Sequence, residues 1–528
     1  MVCLPLSPTR LYTKSSLESF ALFQGCSVST VSRFHFDTRR IRETLHQHPS
    51  ACYQSEFEMR IQHDITPASL LPKIRILWQA SAAKISSIEA SYQPGNGTPV
   101  FTIDGRYTAR GWTEWTQGFQ FGSAILQFDA TGEREFLESG KQRTLDLMAP
   151  HVSHTGVHDH GFNNVSTYGN LLRLASEGRM QASDWECHFY RLALKISGSV
   201  QASRWTNIRR ADTPPSWFTG DAGYIYSFNG PHSLFVDTIR SLRSLAVSHR
   251  LGHQMMGEGD QRISLLSRLL QHAESTARYA CYSGQNRDAL DMRGRTAHES
   301  IFNTNDGNYR CPNSQQGFSP FTTWTRGLAW AILGFAEQLE FIATLADAEL
   351  AEFGGRANVV NMLRGTAENT ADFYIEQATA LDGIPYWDTG AARTWRLGEF
   401  QDRPADPYNS DEPVDSSAAA IACQGLLRLG AWFAAAGHDS EKSTRYRQAG
   451  LTVLSTLLGE PYLSTDANHQ GLILHSVYHQ PNGWDRVHAG QSVPNGESSM
   501  WGDYHAREAA LYVQRIAESK PYLKFWAD

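Results

Sequence analysis

Apolar residues recur at intervals of three and four along most of the chain after residue 66, which is the period of an amphipathic helix. The first such run follows Thr66 and Pro67, a typical helix start. It predicts a helix with one apolar face. The residues of that face are Leu70, Ile74, Leu77, Ser81, Ile85 and Ile88. A Pro-Gly-Asn-Gly sequence at 94–97 then predicts a break.

The same spacing predicts further helices through residues 235–245 and 328–342, and another that begins at Asp415. Strand signals are short and lie at 383–387 and 471–474. No low-complexity linker divides residues 61–528, and the helices are joined by alternately short and long loops. That pattern favours a ring of helical hairpins over a bundle. We therefore predict one all-α toroid, with long loops gathered at one mouth.

Composition and charge exclude several classes of protein. The 528 residues are 41% apolar and carry a net charge of −7 without a basic block, which argues against sequence-independent nucleic-acid binding. No run of 18 apolar residues exists, so we predict no membrane-spanning segment. We expect neither nucleic acid nor membrane as a partner, and either a monomer or a homodimer.

The seven cysteines are scattered and show no C-x-x-C spacing. This argues against a disulfide framework and a structural zinc site, and it favours a reducing compartment, so we expect a cytoplasmic protein. Residues 1–60 are rich in Ser, Thr and Arg but lack an apolar signal region. Three interpretations stay open for them: a transit-like segment, a disordered tail, or sequence upstream of a true start at Met59.

Residues 158–162 read His-Asp-His-Gly-Phe and lie at the end of a His-rich run. A buried carboxylate such as Asp159 needs charge partners or a raised pKa, which is typical of sites that do chemistry. The simpler interpretation is that Asp159 caps a helix. A metal enzyme is a further alternative, although the spacing matches no known ligand signature. Its ligands would be His151, His154, His158, Asp159 and His160.

A second acidic candidate, Asp237, follows Leu234, Phe235 and Val236 at a predicted helix. Desolvation by these neighbours would raise its pKa toward the value that a general acid needs near neutral pH. Asp237 could instead be an early-helix residue favoured by the helix dipole, or a partner for Arg240 one turn later.

Many of the fourteen tryptophans lie at predicted helix starts and in loops. Aromatic faces at the mouth of a pocket are typical of carbohydrate sites, although each Trp taken alone could be a core anchor. Two segments combine such rings with polar groups. One is Trp-Thr-Gln-Gly-Phe at 115–119. In the other, Arg326 lies between Trp324 and Trp330, where its guanidinium could clamp a carboxylate.

These two segments, the segments that contain Asp159 and Asp237, and four others resemble glycoside hydrolase family 88, the unsaturated glucuronyl hydrolases. The four others are residues 315–318, 384–388, 415–421 and 501–504. The blocks occur in the family's order and cover roughly residues 100–515. The resemblance implies an (α/α)6 barrel that needs no metal or cofactor. It also implies release of a 4,5-unsaturated uronic acid from lyase-generated oligosaccharides of the glycosaminoglycan type, by hydration of the C4=C5 vinyl ether.

Carried over position by position, the resemblance implies that Asp237 is the general acid/base and that Asp159 is the second essential carboxylate. A further set is implied to surround the substrate and its reacting carbon. That set is Trp115, His158, His298, Gln316, Trp324, Arg326, Trp330, Trp501 and Tyr504.

The chain departs from the family pattern at the outer pocket. Gln315 stands where the family has His, Leu328 stands where it has Gln, and residues 319–321 read Ser-Pro-Phe instead of Ser-Asp-Asp. These changes bear on the substrate more than on the reaction. Two other functions stay open: an unsaturated rhamnogalacturonyl hydrolase or other uronate-acting enzyme on the same toroid, and a carbohydrate-binding protein without activity.

Overall fold

Helices alternate along the chain between an inner and an outer ring. The structure, a computed structural model, describes residues 58–110, 114–210, 217–285, 287–522 and 525–526. In chain order the helices are α1 (Pro67–Ser91), α2 (Gln117–Thr131), α3 (Arg134–Leu147), α4 (His160–Asn163, Val165–Gly169 and Asn170–Ser176), α5 (Asp184–Ser203), α6 (Thr238–Ser241 and Arg243–Arg250), α7 (Leu265–Ser275 and Thr276–Ala280), α8 (Thr325–Ile342), α9 (Arg356–Phe373 and Tyr374–Ala378), α10 (Ser416–Ala435), α11 (Ser440–Leu457) and α12 (Met500–Ala517).

The even-numbered helices form the inner ring. Each contacts the next, and α12 contacts α2, so the ring closes. The odd-numbered helices pack outside it. Inner helices are buried nearly all round, and in α8 every residue is buried, whereas α1 buries the one face that its spacing predicts. The predicted all-α fold, an (α/α)6 barrel, is confirmed.

Helix α10 is long and apolar enough to cross a membrane by length and composition alone. It is an inner helix of the barrel and most of it is buried inside the protein. Its composition therefore fits a core helix. As predicted, it begins after Asp415, whose side chain accepts hydrogen bonds from the amides of Ser417 and Ala418.

The strands are short and lie in the connections between helices. They are β1 (Pro99–Ile103), β2 (Arg106–Ala109), β3 (Trp205–Ile208), β4 (Ala222–Ile225), β5 (Ser233–Phe235), β6 (Met255–Met256), β7 (Arg262–Ile263), β8 (Glu299–Phe302) and β9 (Tyr309–Asn313). Strands β5, β8 and β9 form one antiparallel sheet in the order β5-β8-β9, and the others pair as hairpins.

Two local predictions were wrong. Segments 383–387 and 471–474 make isolated bridges instead of strands. Residues 235–245 are not one helix, because Phe235 ends strand β5 and α6 begins at Thr238. Leu234 and Phe235 are fully buried. A short apolar run that is buried on all sides has no periodicity to separate a strand from a helix.

The prediction for residues 1–60 falls mostly on residues 1–57, which lie outside the described residues. From residue 58 onward the described chain belongs to one unit. Met59 is buried, and its amide donates a 3.0 Å hydrogen bond to the Ile375 carbonyl. The Arg60 amide donates to the Leu381 carbonyl at 2.7 Å. The barrel's packed body thus includes Met59.

A shortened protein that begins at Met59 should therefore fold and keep its activity, because the anchoring contacts of Met59 and Arg60 are retained. Thermal unfolding and steady-state kinetics of the shortened and full-length chains would check this. A protein that begins at Thr66 lacks both anchors and should be less stable. Loss of folding in the Met59 form would show that residues 1–58 belong to the stable unit.

Burial lowers the pKa of several imidazoles far below the ordinary value of 6.5. The group comprises His151, His160, His298, His475 and His479, with pKa lowered to about 4, and His272 and His505, with pKa lowered to about 3. These side chains stay neutral in the folded protein, whereas the unfolded chain protonates them below pH 6.5. Stability that is fully present above that pH is therefore lost as the pH falls.

We expect the free energy of unfolding to drop by at least about 3 kcal/mol between pH 7 and pH 5, since each such imidazole contributes up to about 1.4 kcal/mol per pH unit. Denaturant titration across this range measures the slope. In the His505→Gln variant the free energy of unfolding should fall less steeply with pH, because about one proton fewer is taken up on unfolding. A slope that is flat through pH 6 would contradict neutral burial of these groups.

Candidate active site

A cavity of 470 Å³ opens where the inner helices begin. Its walls come from the segments that precede or start α2, α4, α6 and α8, together with the loop at 477–479. The lining residues are Trp115, His154, Gly156, Val157, His158, Asp159, Phe162, Phe228, Asp237, Gln315, Gln316, Trp324, Arg326, Trp330, Tyr478 and His479. Eight of the eleven residues predicted for the site are among them.

Asp159 directly precedes α4, but its side chain makes no capping bond, so the capping interpretation is wrong. The side chain faces the cavity beside His158 instead. Gly161 explains how α4 approaches α6 so closely: a Cβ at this position would lie 2.1 Å from the Ser241 carbonyl oxygen. The small residue in the motif therefore brings the segment that carries Asp159 against the segment that carries Asp237.

Asp237 lies in the two-residue step between strand β5 and helix α6. The sheet fixes this step, since the Val236 amide donates a 3.0 Å hydrogen bond to the His298 carbonyl just before β8. Asp237 makes no capping bond. It does not pair with Arg240 either, because that guanidinium lies 3.0 Å from Glu337 and 3.1 Å from Glu508. The interpretation of Asp237 as a partner of Arg240 is therefore wrong, whereas its position directly before α6 agrees with that of an early-helix residue.

His158 links the two carboxylates. Its Nε2 lies 3.2 Å from Asp237 Oδ1 and 3.7 Å from Asp159 Oδ1. All three side chains are buried. The His158 carbonyl accepts 2.7 Å hydrogen bonds from Gln201 Nε2 and Ser241 Oγ, which hold its backbone in place. One imidazole is thus held between two carboxylates at the wall of the cavity.

The surroundings shift the pKa values of the two carboxyl groups in opposite directions. Burial raises the pKa of Asp159, and the charge of Asp237 adds to the rise while that of His158 opposes it. Burial also pushes the pKa of Asp237 upward. The hydrogen bond from His158 and the charges of His158, His298 and Arg326 outweigh burial, so the pKa of Asp237 is lowered. The expectation that desolvation would raise it was wrong, because the sequence did not reveal these partners.

The pKa of His158 is raised. Burial would lower it, but the charges of Asp159 and Asp237 and the Asp237 hydrogen bond exceed that effect. The proton on His158 is therefore held more firmly than on an exposed imidazole. A proton is available within 3.2 Å of the Asp237 carboxylate even though the Asp237 pKa itself is low.

The His-rich run does not converge on one point, as a metal site would require. Both ring nitrogens of His160 are used, by Ser197 Oγ at 3.0 Å and by the His154 carbonyl at 2.9 Å. His151 contacts Gln117 and Asn163. The metal-enzyme alternative therefore lacks a ligand set in this run.

In the part of the chain that the structure describes, one other group has the spacing of a metal site: Asp104, His488 and Glu497. Glu497 already accepts hydrogen bonds from the Asp104 and Gly105 amides. Arg486 pairs with Asp104 at 3.2 Å. A guanidinium in this position competes with a cation, so these contacts fit a clamp on the β1-β2 turn.

Aromatic rings build most of the cavity wall. Phe162 packs on Trp330 at 4.9 Å between ring centroids, and Trp115 stacks on Trp501 at 5.1 Å. Four tryptophans were predicted for the site, and three of them are buried: Trp324, Trp330 and Trp501. The expectation that they lie at the mouth with exposed faces was wrong for these three. Trp324 and Trp330 still line the cavity with part of their rings, whereas Trp501 does not line it.

Three predicted residues lie behind the wall. Trp501 is fully buried and donates to Ser417 Oγ at 2.9 Å, so it supports Trp115 from behind. His298 packs edge-on against Trp324 at 4.9 Å, and its Nδ1 accepts the Gln315 amide at 2.9 Å. Tyr504 is a core residue whose hydroxyl donates to Glu508 at 3.1 Å. The predicted substrate contacts of these three residues are corrected accordingly.

Arg326 lines the cavity, but its guanidinium fork is already occupied. Nη1 donates to Asp415 Oδ2 at 3.0 Å and to the Val477 carbonyl at 2.5 Å. Nη2 donates to Gln316 Oε1 at 3.1 Å and to the Tyr478 carbonyl at 2.8 Å. The predicted bidentate clamp on a substrate carboxylate is therefore wrong. The rings that frame Arg326 are Trp324 and Trp501, not Trp324 and Trp330.

The bond from Arg326 also determines the orientation of the Gln316 side-chain amide. An arginine can only donate, so the bond from Arg326 identifies the Gln316 atom it meets as the carbonyl oxygen. The amide nitrogen of Gln316, which lines the cavity, is then the end available to a ligand oxygen. Arg326 thus orients a hydrogen-bond donor of the site.

Replacing Arg326 by Lys should lower the free energy of unfolding by about 2–4 kcal/mol, since one ammonium cannot replace four hydrogen bonds in a buried place. The KM should rise as well, because Gln316 and residues 477–478 lose their support. Denaturant unfolding and steady-state kinetics would measure both effects. The exposed Arg310–Asp306 pair offers the matched control: Arg310→Lys should change stability by less than about 0.5 kcal/mol. Unchanged stability of Arg326→Lys would contradict the bracing role.

The sequence gave no signal for Phe228, Tyr478 and His479, which also line the cavity. Phe228 lies in the connection between β4 and β5. The other two are placed by the buried carboxylate of Asp485, which accepts the Tyr478 amide and, at 2.8 Å, the His479 amide. These residues belong to loops without helical periodicity, and the bond from Arg326 Nη2 to the Tyr478 carbonyl ties one of these loops to the distant helix α8.

Comparison with protein-family models gives no match for this chain. Curated proteins do resemble it. An unsaturated glucuronyl hydrolase of Formosa agariphila is 25% identical over 405 residues, which cover 76% of this chain and 80% of that protein. One of Bacillus sp. strain GL1 is 24% identical over 421 residues, covering 78% and 89%. An unsaturated chondroitin disaccharide hydrolase of Streptococcus pyogenes is 28% identical over 423 residues, covering 78% and 84%.

Solved structures show the same fold. An unsaturated glucuronyl hydrolase described as specific for heparin has a TM-score of 0.60 at 18% identity, covering 85% of this chain and 98% of that one. The enzyme of Bacillus sp. GL1 has a TM-score of 0.57 at 22% identity, covering 83% and 97%. The resemblance to the unsaturated glucuronyl hydrolases of glycoside hydrolase family 88, first indicated by short sequence motifs, is confirmed by the relatives in sequence and by the solved structures in fold.

Proposed function

We propose that this protein is an unsaturated glucuronyl hydrolase, which releases the 4,5-unsaturated uronic acid from the non-reducing end of lyase-generated oligosaccharides. The observation that carries the proposal is the pair Asp159 and Asp237 on either side of His158, in a cavity walled by aromatic rings. The relatives named above, which carry this activity in their names, support it.

The substrate's C4=C5 bond is part of a vinyl ether. Protonation at C4 produces an oxocarbenium ion at C5, and water then adds to C5. Asp237, whose own pKa is lowered, passes the proton held 3.2 Å away on His158 to C4, and its carboxylate then takes a proton from the attacking water. The hemiketal that forms rearranges and expels the remaining sugar. The reaction consumes one water, and the proton that Asp237 takes from it restores the proton on the His158–Asp237 pair.

The neighbours of Asp237 have separate tasks. Asp159 accepts a hydrogen bond from a ring hydroxyl and places negative charge near the developing cation. Gln316 offers its amide N–H groups to a substrate oxygen. Trp115 and Trp330 offer apolar surface to the C–H groups of the sugar ring. No step in this scheme calls for a metal or an organic cofactor.

The test is the loss of ultraviolet absorbance of the unsaturated uronate when the purified protein is incubated with a panel of lyase products. We expect turnover of glycosaminoglycan-type unsaturated disaccharides. Products of rhamnogalacturonan lyases form the second arm of the panel. Turnover confined to that arm would favour the rhamnogalacturonyl alternative. Binding without turnover in either arm would favour a carbohydrate-binding protein.

We also propose a cytoplasmic monomer or homodimer that acts without a membrane or nucleic acid. The acidic net charge and the cysteines without C-x-x-C spacing support this proposal. Cell fractionation and light scattering of the purified protein would test it.

A further inference from the structure

Residues 317–323, the rim loop, connect Gln316 and Trp324 of the cavity wall. Both of these residues line the cavity wall, so the chain between them starts and ends at the site. Two phenylalanines in this rim loop are exposed: Phe318 keeps 47% of its surface accessible to solvent and Phe321 keeps 55%. Large apolar side chains in solvent carry a free-energy cost unless something covers them.

The rim loop is braced from within. The Phe318 amide donates to the buried Asp388 carboxylate at 2.8 Å, and burial raises the pKa of Asp388 to about 6. The Pro320 carbonyl accepts a 3.2 Å hydrogen bond from Arg295, a buried side chain. Trp324 also pairs with Asp388 through the backbone. The loop therefore holds its shape through contacts with the body of the barrel.

Inside the loop, polar groups bond to one another. Ser319 Oγ lies 3.1 Å from Thr322 Oγ1 and accepts the Phe321 amide at 3.2 Å. The Ser319 hydroxyl thus accepts a backbone amide of the loop while both phenyl rings stay accessible to solvent. Burial of apolar surface alone would select the opposite arrangement. Both aromatic rings are therefore accessible to a ligand.

The charges around the cavity indicate which ligand these rings suit. Among the described lining residues there is no lysine, and the guanidinium fork of Arg326 is taken up by protein acceptors. The lining also carries two carboxylates, Asp159 and Asp237. A sulfate group that reached into the cavity would find no cation with a free fork among its lining residues. An uncharged pyranose ring has C–H faces that pack on aromatic rings.

We propose that Phe318 and Phe321 form a sugar-binding platform at the rim, which holds the uncharged pyranose ring or rings that leave with the oligosaccharide. The loop that carries the platform begins at Gln316 and ends at Trp324, and both of these residues line the cavity. This inference rests on the proposed function, since it names the part of the same substrate that lies outside the cavity. It predicts that an unsulfated leaving sugar is preferred.

The test compares leaving groups that share one unsaturated uronate: a methyl glycoside, an unsulfated disaccharide and an unsulfated tetrasaccharide. The variant Phe318→Ala/Phe321→Ala should lose roughly tenfold or more in kcat/KM on the disaccharide, the tetrasaccharide or both, mainly through KM. On the methyl glycoside it should lose less than about twofold, because that substrate has no ring to stack. The matched control is Trp185→Ala on outer helix α5, which removes a ring with 75% exposure and should change none of the three values.

An equal loss on all three substrates would make the loop a support of the catalytic site and overturn the platform. No loss on any of them would overturn it too. Binding of the tetrasaccharide to the Asp237→Asn protein, with and without the two rings, separates this result from the proposed function. If the wild-type protein turns over none of the substrates, the proposed function fails. Weaker binding after removal of the rings would still support the platform, and unchanged binding would reject it.

Discussion

Replacing Asp237 by asparagine is expected to lower kcat by about 10²–10⁴-fold or more, while substrate binding is largely kept. The amide has the shape of the carboxyl group and can still accept the hydrogen bond from His158. It can neither give a proton to C4 nor take one from water. Steady-state kinetics on an unsaturated disaccharide, with binding measured by calorimetry, checks both parts.

Asp159→Asn should also be severe, because it removes the charge beside the developing cation. Asp372→Asn is the matched control. Asp372 pairs with Arg293 at 3.0 Å outside the cavity, so its replacement should leave kcat unchanged. If Asp237→Asn kept its rate within about tenfold of wild type, the proton would have to come from another group. Asp159, whose pKa is raised by burial, would then be the first candidate.

Saturated glucuronides are expected to show no cleavage under conditions in which the unsaturated substrates turn over completely. Without the C4=C5 bond there is no alkene to protonate, and the cation at C5 cannot form. The same scheme predicts the fate of the proton: a reaction run in deuterated water should place deuterium at C4 of the released product. Mass spectrometry and nuclear magnetic resonance of that product measure this.

The matched pair is one disaccharide with and without the double bond, so that leaving group and charge are identical. Cleavage of the saturated form at a comparable rate would point to ordinary glycoside hydrolysis by two carboxylates. Product that carries no deuterium at C4 would contradict protonation by the enzyme at that carbon. Either result would exclude hydration of the vinyl ether, even with Asp159 and Asp237 in place.

The sequence by itself predicted the elements whose residues repeat with a helical period. Helix α1 buries the face that runs from Leu70 to Ile88, α8 covers the predicted residues 328–342, and α10 begins directly after Asp415. Local spacing determines such features, because one buried stripe constrains every third or fourth residue. The resemblance of the motifs to glycoside hydrolase family 88 also implied that Asp159 and Asp237 share one site.

Only the tertiary structure decided what these residues meet. Spacing could not show that His158 would lie between both carboxylates and lower the pKa of Asp237. Nor could it show that the guanidinium of Arg326 would donate its hydrogen bonds to Asp415 and to the carbonyls of residues 477–478. These partners lie far apart in the chain and come together only when the ring of inner helices closes. The pKa of a buried group and the free donors of an arginine depend on such neighbours, so the fold sets them.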